Sequence, residues 1–408
     1  MTERVVQLPS GLTVAVEPMA STRAASIGVW VGVGARDEPD HLAGVSHFLE
    51  HLLFKGTGSR SAIEISRTVD RVGGDINAFT SKEYTGYYCR VPARCVQTGI
   101  ELLGDVLTAP ALRDLDIESE RQVILEELAM DDDSPEDVIH RTFSEQIFVS
   151  HPLGRETAGD RATVRSLSAH DVREFFGNHY RTENTVVAVA GAVDADAVID
   201  VVTKAFDTMP TGDGRVARQA PTTVGVDEHI TDDTEQVHLV MGGRSIPRAD
   251  ADREALDVVN HVLGGGLSSR LFDEIRERRG LAYSVFSGLA AYADAGAWSV
   301  YAGSMPENST EVESLVRKEL ARLVADGITA EELEIAQGYL TGSYEMGLED
   351  SGARMSRMGG QLTVLGQLRP IETQIARWSS VTLADTRRVI ERVFGTSAPT
   401  TITLGPTN

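Results

Sequence analysis

Residues 44–57 read GVSHFLEHLLFKGT. In an amphipathic helix expected over 40–55, His47 and His51 stand four residues apart, so both imidazoles leave one face and can reach one ion. Glu50 follows His47 by three residues and projects near the same face. A catalytic zinc needs three protein ligands and one position open to water. The two histidines supply two ligands, and Glu50 is placed as general base, taking a proton from zinc-activated water as it attacks a carbonyl. The third ligand has to come from elsewhere. ERQVILEEL at 120–128 offers it on a second helix, with Glu127 as the candidate and Glu126 as the neighbouring alternative. Glu120 lies two helical turns before Glu127 on the same face, where a carboxylate can hold a histidine by its other ring nitrogen.

Working outward from this helix, strands alternate with amphipathic helices. Strands are expected at 12–18, 25–34, twice within 73–92 and at 185–191, with helices near 61–72, 93–107, 114–131 and 194–207. After a stretch rich in Gly, Pro, Thr and Asp at 208–234, the pattern restarts. A strand at 236–243 leads to helices at 252–263 and 268–279, paired strands within 282–304, helices at 309–326 and 330–348, and a last strand at 400–405. VSHFLEH at 45–51 falls on VNHVLGG at 259–265, which sets His47 over His261 at an offset of 214 residues. The same offset sets Glu118 over Glu332 and Glu120 over Glu334, as one long internal repeat requires. The second copy has Gly264 and Gly265 in place of Glu50 and His51, and Thr341 in place of Glu127. The chemistry is therefore expected once, in a zinc-binding catalytic domain over 1–215. A homologous domain over 235–408 lacks the site and is expected to hold substrate. The fold class that follows is α+β, each half a mostly antiparallel sheet covered by helices on one face.

A chain of 408 residues suits two domains, and a net charge of −23 disfavours any nucleic-acid partner while favouring cationic ones such as basic peptides. No run approaches the ~20 apolar residues that span a bilayer, so no membrane anchor is expected. The start, MTERVVQLPSGLTVAVEP, has neither a basic-then-apolar leader nor an Arg- and Ser-rich, acid-poor composition, and the expected compartment is cytoplasmic. Cys89 and Cys95, without a CxxC pair, fit a reducing compartment and exclude a cysteine-built metal site.

Taken together, GVSHFLEHLLFKGT (44–57), GGDINAFTSKEYT (73–85), ERQVILEEL (120–128), HPLGR (151–155) and GGGLSSRLFDEIRERRGLAYSV (264–285) resemble the pitrilysin-type zinc metallopeptidases. These are the inverzincins, whose HxxEH order reverses the commoner HExxH. The resemblance extends over essentially the whole chain and is closest to the branch of the mitochondrial processing peptidase and its bacterial relatives. It implies the metallohydrolase fold shared with LuxS, one zinc per chain held by His47, His51 and Glu127, Glu50 as general base, and Glu120 as supporting carboxylate. It further implies that Asn77, Ala78 and Thr80 lie on a strand edge that pairs with an extended peptide. Arg276 and Tyr283 match a pair that holds the substrate and stabilises the tetrahedral oxyanion. The glycine run at 264–266 is short for the family, which leaves its part in substrate handling open. Family members enclose substrate with four such repeats and this chain has two, so a homodimer, or a dimer with a related subunit, is implied.

The expected function is thus a zinc endopeptidase acting on extended or unfolded peptides. Two other readings compete. A non-catalytic structural or partner subunit of the same family would be free to lose members of the His47, Glu50, His51 and Glu127 set. A hydrolase of small molecules would have no use for a strand edge.

Overall fold

In the computed structural model, which describes residues 3–406, alternating apolar residues build two sheets. The first contains β1 (Arg4–Gln7), β2 (Thr13–Pro18), β3 (Ala24–Val31), β4 (Asp75–Thr80), β5 (Thr85–Pro92) and β6 (Thr185–Gly191), in the order β1-β2-β6-β3-β5-β4. The second contains β7 (Glu228–Thr231), β8 (Val237–Ser245), β9 (Ala282–Ala291), β10 (Gly296–Ser304) and β11 (Thr400–Gly405), in the order β7-β11-β8-β10-β9. Each sheet has one parallel pairing, β2 with β6 and β7 with β11, among antiparallel ones. With β1 set aside, the two orders match strand for strand. The internal repeat is therefore a repeat of topology, and the fold is α+β as expected.

Two strands were not expected from sequence. β1 and β7 are short edge strands whose residues are mostly exposed, so they carry no apolar alternation to betray them. The regular helices expected at 252–263 and 268–279 are also modified. Arg253–Asn260 is α-helical, and the chain then widens into π turns at His261–Gly265 and Phe272–Glu277.

Pleating sends alternate residues of the first sheet to opposite sides. Val14, Val16, Ile27, Val29, Val187 and Val189 join Phe48, Leu52, Leu103 and Val202 in the larger core, so the helices Val45–Leu53, Val96–Thr108 and Ala195–Ala205 cover that face. Ala15, Trp30, Ala188 and Ala190 point the other way, onto Met355 and Met358 of the helix Ser351–Leu365. Gly359 makes this contact possible, because a Cβ there would lie 2.0 Å from the Trp30 indole. In the second sheet the helix Pro135–Ile147 does the same job, with Ile139, Phe143 and Ile147 packed among Val240, Ile402 and Leu404.

The chain divides into two compact units that follow this packing. The first comprises residues up to Ala129, Arg155–Arg218 and Met346–Leu368. The second comprises Met130–Gly154, Gln219–Glu345 and the residues from Arg369 onward. Each unit thus takes one helical segment from the other half of the sequence. Among the described residues no helix is long and apolar enough to cross a membrane.

Candidate metal centre

The helix Val45–Leu53 is seated by its apolar stripe. Val45, Phe48, Leu49, Leu52 and Leu53 are buried, which leaves His47, Glu50 and His51 on the opposite, partly open face. Its start is fixed with unusual care. Gly44 caps it in the left-handed region (φ 95°), where a Cβ would come 2.4 Å from the Ala158 carbonyl oxygen. The Gly44 and Ser46 N–H groups each donate at 2.7 Å to the carboxylate of Glu38, which is buried in the preceding loop. Burial pushes the Glu38 carboxyl up to about 7, against the pull of these two donors. Ion pairs anchor that loop: Arg36 meets Glu83 at 2.7 Å in the interior, and the half-buried Arg218 grips Asp37 with two 2.8 Å bonds.

The second helix, Asp114–Asp132, buries Ile117, Glu120, Arg121, Ile124 and Leu128. That orientation brings the Glu127 carboxylate to the histidines and leaves Glu126 exposed. Glu127 Oε2 lies 3.4 Å from His51 Nε2 and 3.9 Å from His47 Nε2. Ligand atoms of all three residues fall within 4.8 Å of one another, and among the described residues this is the one such cluster of three. Ligands about 2.0–2.1 Å from a tetrahedral zinc stand about 3.3 Å apart, so the three residues fit a zinc with little adjustment.

The surroundings suit that ion. Glu120 is buried, and its Oε2 lies 3.2 Å from His51 Nδ1, which fixes that ring from behind. Its other oxygen meets the Lys55 ammonium at 2.5 Å. His47 Nδ1 is buried with no hydrogen-bond partner among the described residues, and burial lowers its pKa to about 4, keeping the ring neutral as a ligand must be. Glu50 accepts a 2.6 Å hydrogen bond from the Thr80 hydroxyl, and burial raises its pKa.

Thr80, Ala78 and Asn77 lie on β4, the edge strand of the first sheet, where the Ala78 N–H donates to the Asn77 side-chain oxygen at 2.8 Å. The structure thus brings Glu50, Thr80, Glu120, Glu127 and both histidines together. Arg276 and Tyr283 belong to the second unit and meet one another there. The Arg276 guanidinium lies 4.9 Å from the Tyr283 ring centre and donates to the Tyr283 carbonyl at 2.8 Å, while Tyr283 is 80% exposed. The repeat counterpart of His47 is occupied differently: His261 is buried and stacked on Tyr339 at 4.2 Å.

Sequence reasoning missed two contributors. Lys55 stood in the quoted stretch, four residues after His51, a spacing that could have drawn notice. Glu38 gave no signal, because it acts through main-chain bonds from a loop.

Comparison with known proteins agrees with this architecture. Residues 13–161 match the family model described as Insulinase (Peptidase family M16), and residues 166–340 match the Peptidase M16 inactive domain. A Streptomyces coelicolor protein named as an uncharacterized zinc protease is 42% identical over 99% of this chain and 90% of its own length. The Bacillus subtilis uncharacterized zinc protease YmxG is 33% identical over 94% of both chains. The crystal structure of a protease from Helicobacter pylori superposes with a TM-score of 0.90 at 25% identity, covering 99% of this chain and 100% of that one. With its two family domains in sequence order, and relatives of this identity matched over nearly their full length, the chain belongs to peptidase family M16.

Proposed function

We propose that this protein is a zinc endopeptidase for extended peptides, with His47, His51 and Glu127 as metal ligands and Glu50 as general base. The observation that carries the reading is the convergence of two imidazoles and one carboxylate with a fourth group, Glu50, beside them and outside the ligand set. The names of the curated relatives support zinc as the metal. Zinc bound there supplies Lewis acidity, lowering the pKa of water to about 7 and polarising a carbonyl.

The remaining work falls to the chain's own groups. Glu50 accepts the proton of the attacking water and passes it to the leaving amine, and its raised pKa helps it hold that proton between the two transfers. Thr80 keeps the Glu50 carboxylate aimed. Glu120 holds the His51 ring against rotation. The β4 edge offers main-chain groups to an extended peptide, an incoming carbonyl replacing the Asn77 side chain at the Ala78 N–H. Arg276 and Tyr283 donate to the developing oxyanion from a partner chain, in a dimer of this protein or with a related subunit.

The test is cleavage of a quenched fluorescent basic peptide by wild type and Glu50→Gln, with zinc counted in both. The variant should retain zinc and lose activity by about 10²–10⁴-fold. If both proteins hold zinc and neither cleaves a varied peptide set, the non-catalytic subunit reading replaces this one.

A further inference from the structure

β4 is an edge strand, and among the described strands it pairs with β5 alone. Where Thr80 stands, and with it the hydrogen bond that aims Glu50, therefore depends on what holds the matching end of β5. Thr85 lies opposite Thr80 across that ladder and Tyr87 lies opposite Ala78. These four side chains share one face of the sheet, the face on which the helix Val45–Leu53 lies. The Tyr87 ring also packs edge-on against Phe54, the residue that closes this helix, at 6.1 Å. Tyr87 thus stands between the two elements that must meet for Thr80 to reach Glu50.

Polarity at this depth needs a reason. Tyr87 and Tyr180 are fully buried, and a buried hydroxyl costs free energy unless it is hydrogen-bonded. Tyr180, which closes the helix Ala169–His179, meets the Tyr87 hydroxyl at 2.7 Å. The Thr85 hydroxyl stands beside Tyr180 and donates its own proton to the Val33 carbonyl at 2.9 Å. One direction satisfies the whole set: Tyr87 donates to Tyr180, Tyr180 to Thr85, and Thr85 to Val33. Two phenylalanines would fill the same space with no such requirement, so packing alone does not account for the hydroxyls. Burial raises the pKa of both phenols, and Glu50 is near enough for its charge to add to that rise.

We infer that Tyr87, Tyr180 and Thr85 are positioning residues for Glu50, a buried hydroxyl chain that ties the end of β5 to Val33 and to the helix Ala169–His179 and so fixes Thr80 against the general base. The inference rests on the peptidase reading above and adds to it the device that sets the base. Its influence reaches the reaction through Thr80, and that route is what the test examines.

Tyr180→Phe, Tyr87→Phe and Thr80→Val are compared with wild type on the quenched basic peptide, with zinc counted in each. Each phenylalanine variant should lower kcat about tenfold, as a slightly misplaced base does, with KM within about twofold and zinc still bound. Added to Thr80→Val, Tyr180→Phe should cost no further activity, because the link it supports is already cut. An equal loss with and without Thr80 overturns the inference. Wild-type kcat in both phenylalanine variants also overturns it and leaves the hairpin to the Arg36–Glu83 pair. Should wild type cleave nothing, the peptidase reading fails, and amide exchange tests the positioning instead. The Thr80 N–H also donates to Glu50. In Tyr180→Phe its exchange should quicken about tenfold more than that of Val187 in β6, and equal changes at the two amides overturn the inference.

Discussion

Lys55 meets Glu120 at 2.5 Å, and it does so on the carboxylate oxygen that Glu120 does not turn to His51. The lysine thus holds the residue that holds the ring. Lys55→Met removes the partner of a buried carboxylate and frees Glu120 to move. Zinc affinity is expected to fall about 10–100-fold, by analogy with other outer-shell losses, with Lys55→Arg recovering most of it. Competition against a chromogenic chelator measures this, and equal affinity in all three proteins would show that Glu120 needs no support.

Zinc itself should be a stabilising ligand, because its three candidate ligands sit on two separate helices. At free zinc about 1,000-fold above Kd, binding adds about 4 kcal/mol to folding. Chelation should lower the melting temperature of wild type and leave that of His47→Ala unmoved. A chelator shift that persists in His47→Ala would place the stabilising metal elsewhere.

Gly44 is held at φ 95° with its α-carbon facing the Ala158 carbonyl. Gly44→Ala should cost about 2–4 kcal/mol, combining backbone strain with a clash that main chain cannot yield to cheaply. Chemical denaturation reads the loss, and a cost below about 1 kcal/mol would mean that the Ala158 loop moves freely.

Glu38 gives a pH dependence with a definite sign. Its folded-state pKa of about 7 lies above the ordinary 4.5, so the folded chain binds this proton more tightly than the unfolded one. The contribution is complete below about pH 4.5 and is lost as pH rises through 7. Relative to Glu38→Gln, which cannot ionise, wild type should lose about 2–3 kcal/mol between pH 5 and pH 8. Denaturation midpoints at several pH values decide it, and parallel profiles for the two proteins rule it out.

What could be read from sequence follows from the range of the forces involved. His47, Glu50 and His51 announce themselves because helical periodicity places them within one turn. The internal repeat was visible because a duplicated core sets His47 over His261, and Glu118 and Glu120 over Glu332 and Glu334, at one fixed offset. Glu127 over Glu126 needed the buried stripe of a second helix, 76 residues past His51, and was settled in sequence only by resemblance. Lys55 has no sequence signal beyond that of an ordinary charge at a helix end. The contact of Trp30 with Gly359 lies beyond any periodicity, since nothing local in either segment names the other. β7 stayed hidden in a stretch whose polar composition reads as linker.

The helix Ser351–Leu365, which covers one side of the first sheet, also sets a schedule for making the protein. Trp30 is synthesised early, while Met355, Met358 and Gly359, which enclose it, emerge more than 300 residues later. Because β6 joins β2 to β3 only after Gly191 is made, a rate of about 5–20 residues per second leaves that side of the first sheet bare for roughly 10 to 30 seconds. During this interval Ala15, Trp30 and Ala188 form an uncovered apolar strip on a nascent chain. A fragment released near residue 215 never receives its cover, so it should bind hydrophobic dyes and aggregate, and a separately supplied 346–368 peptide should rescue it.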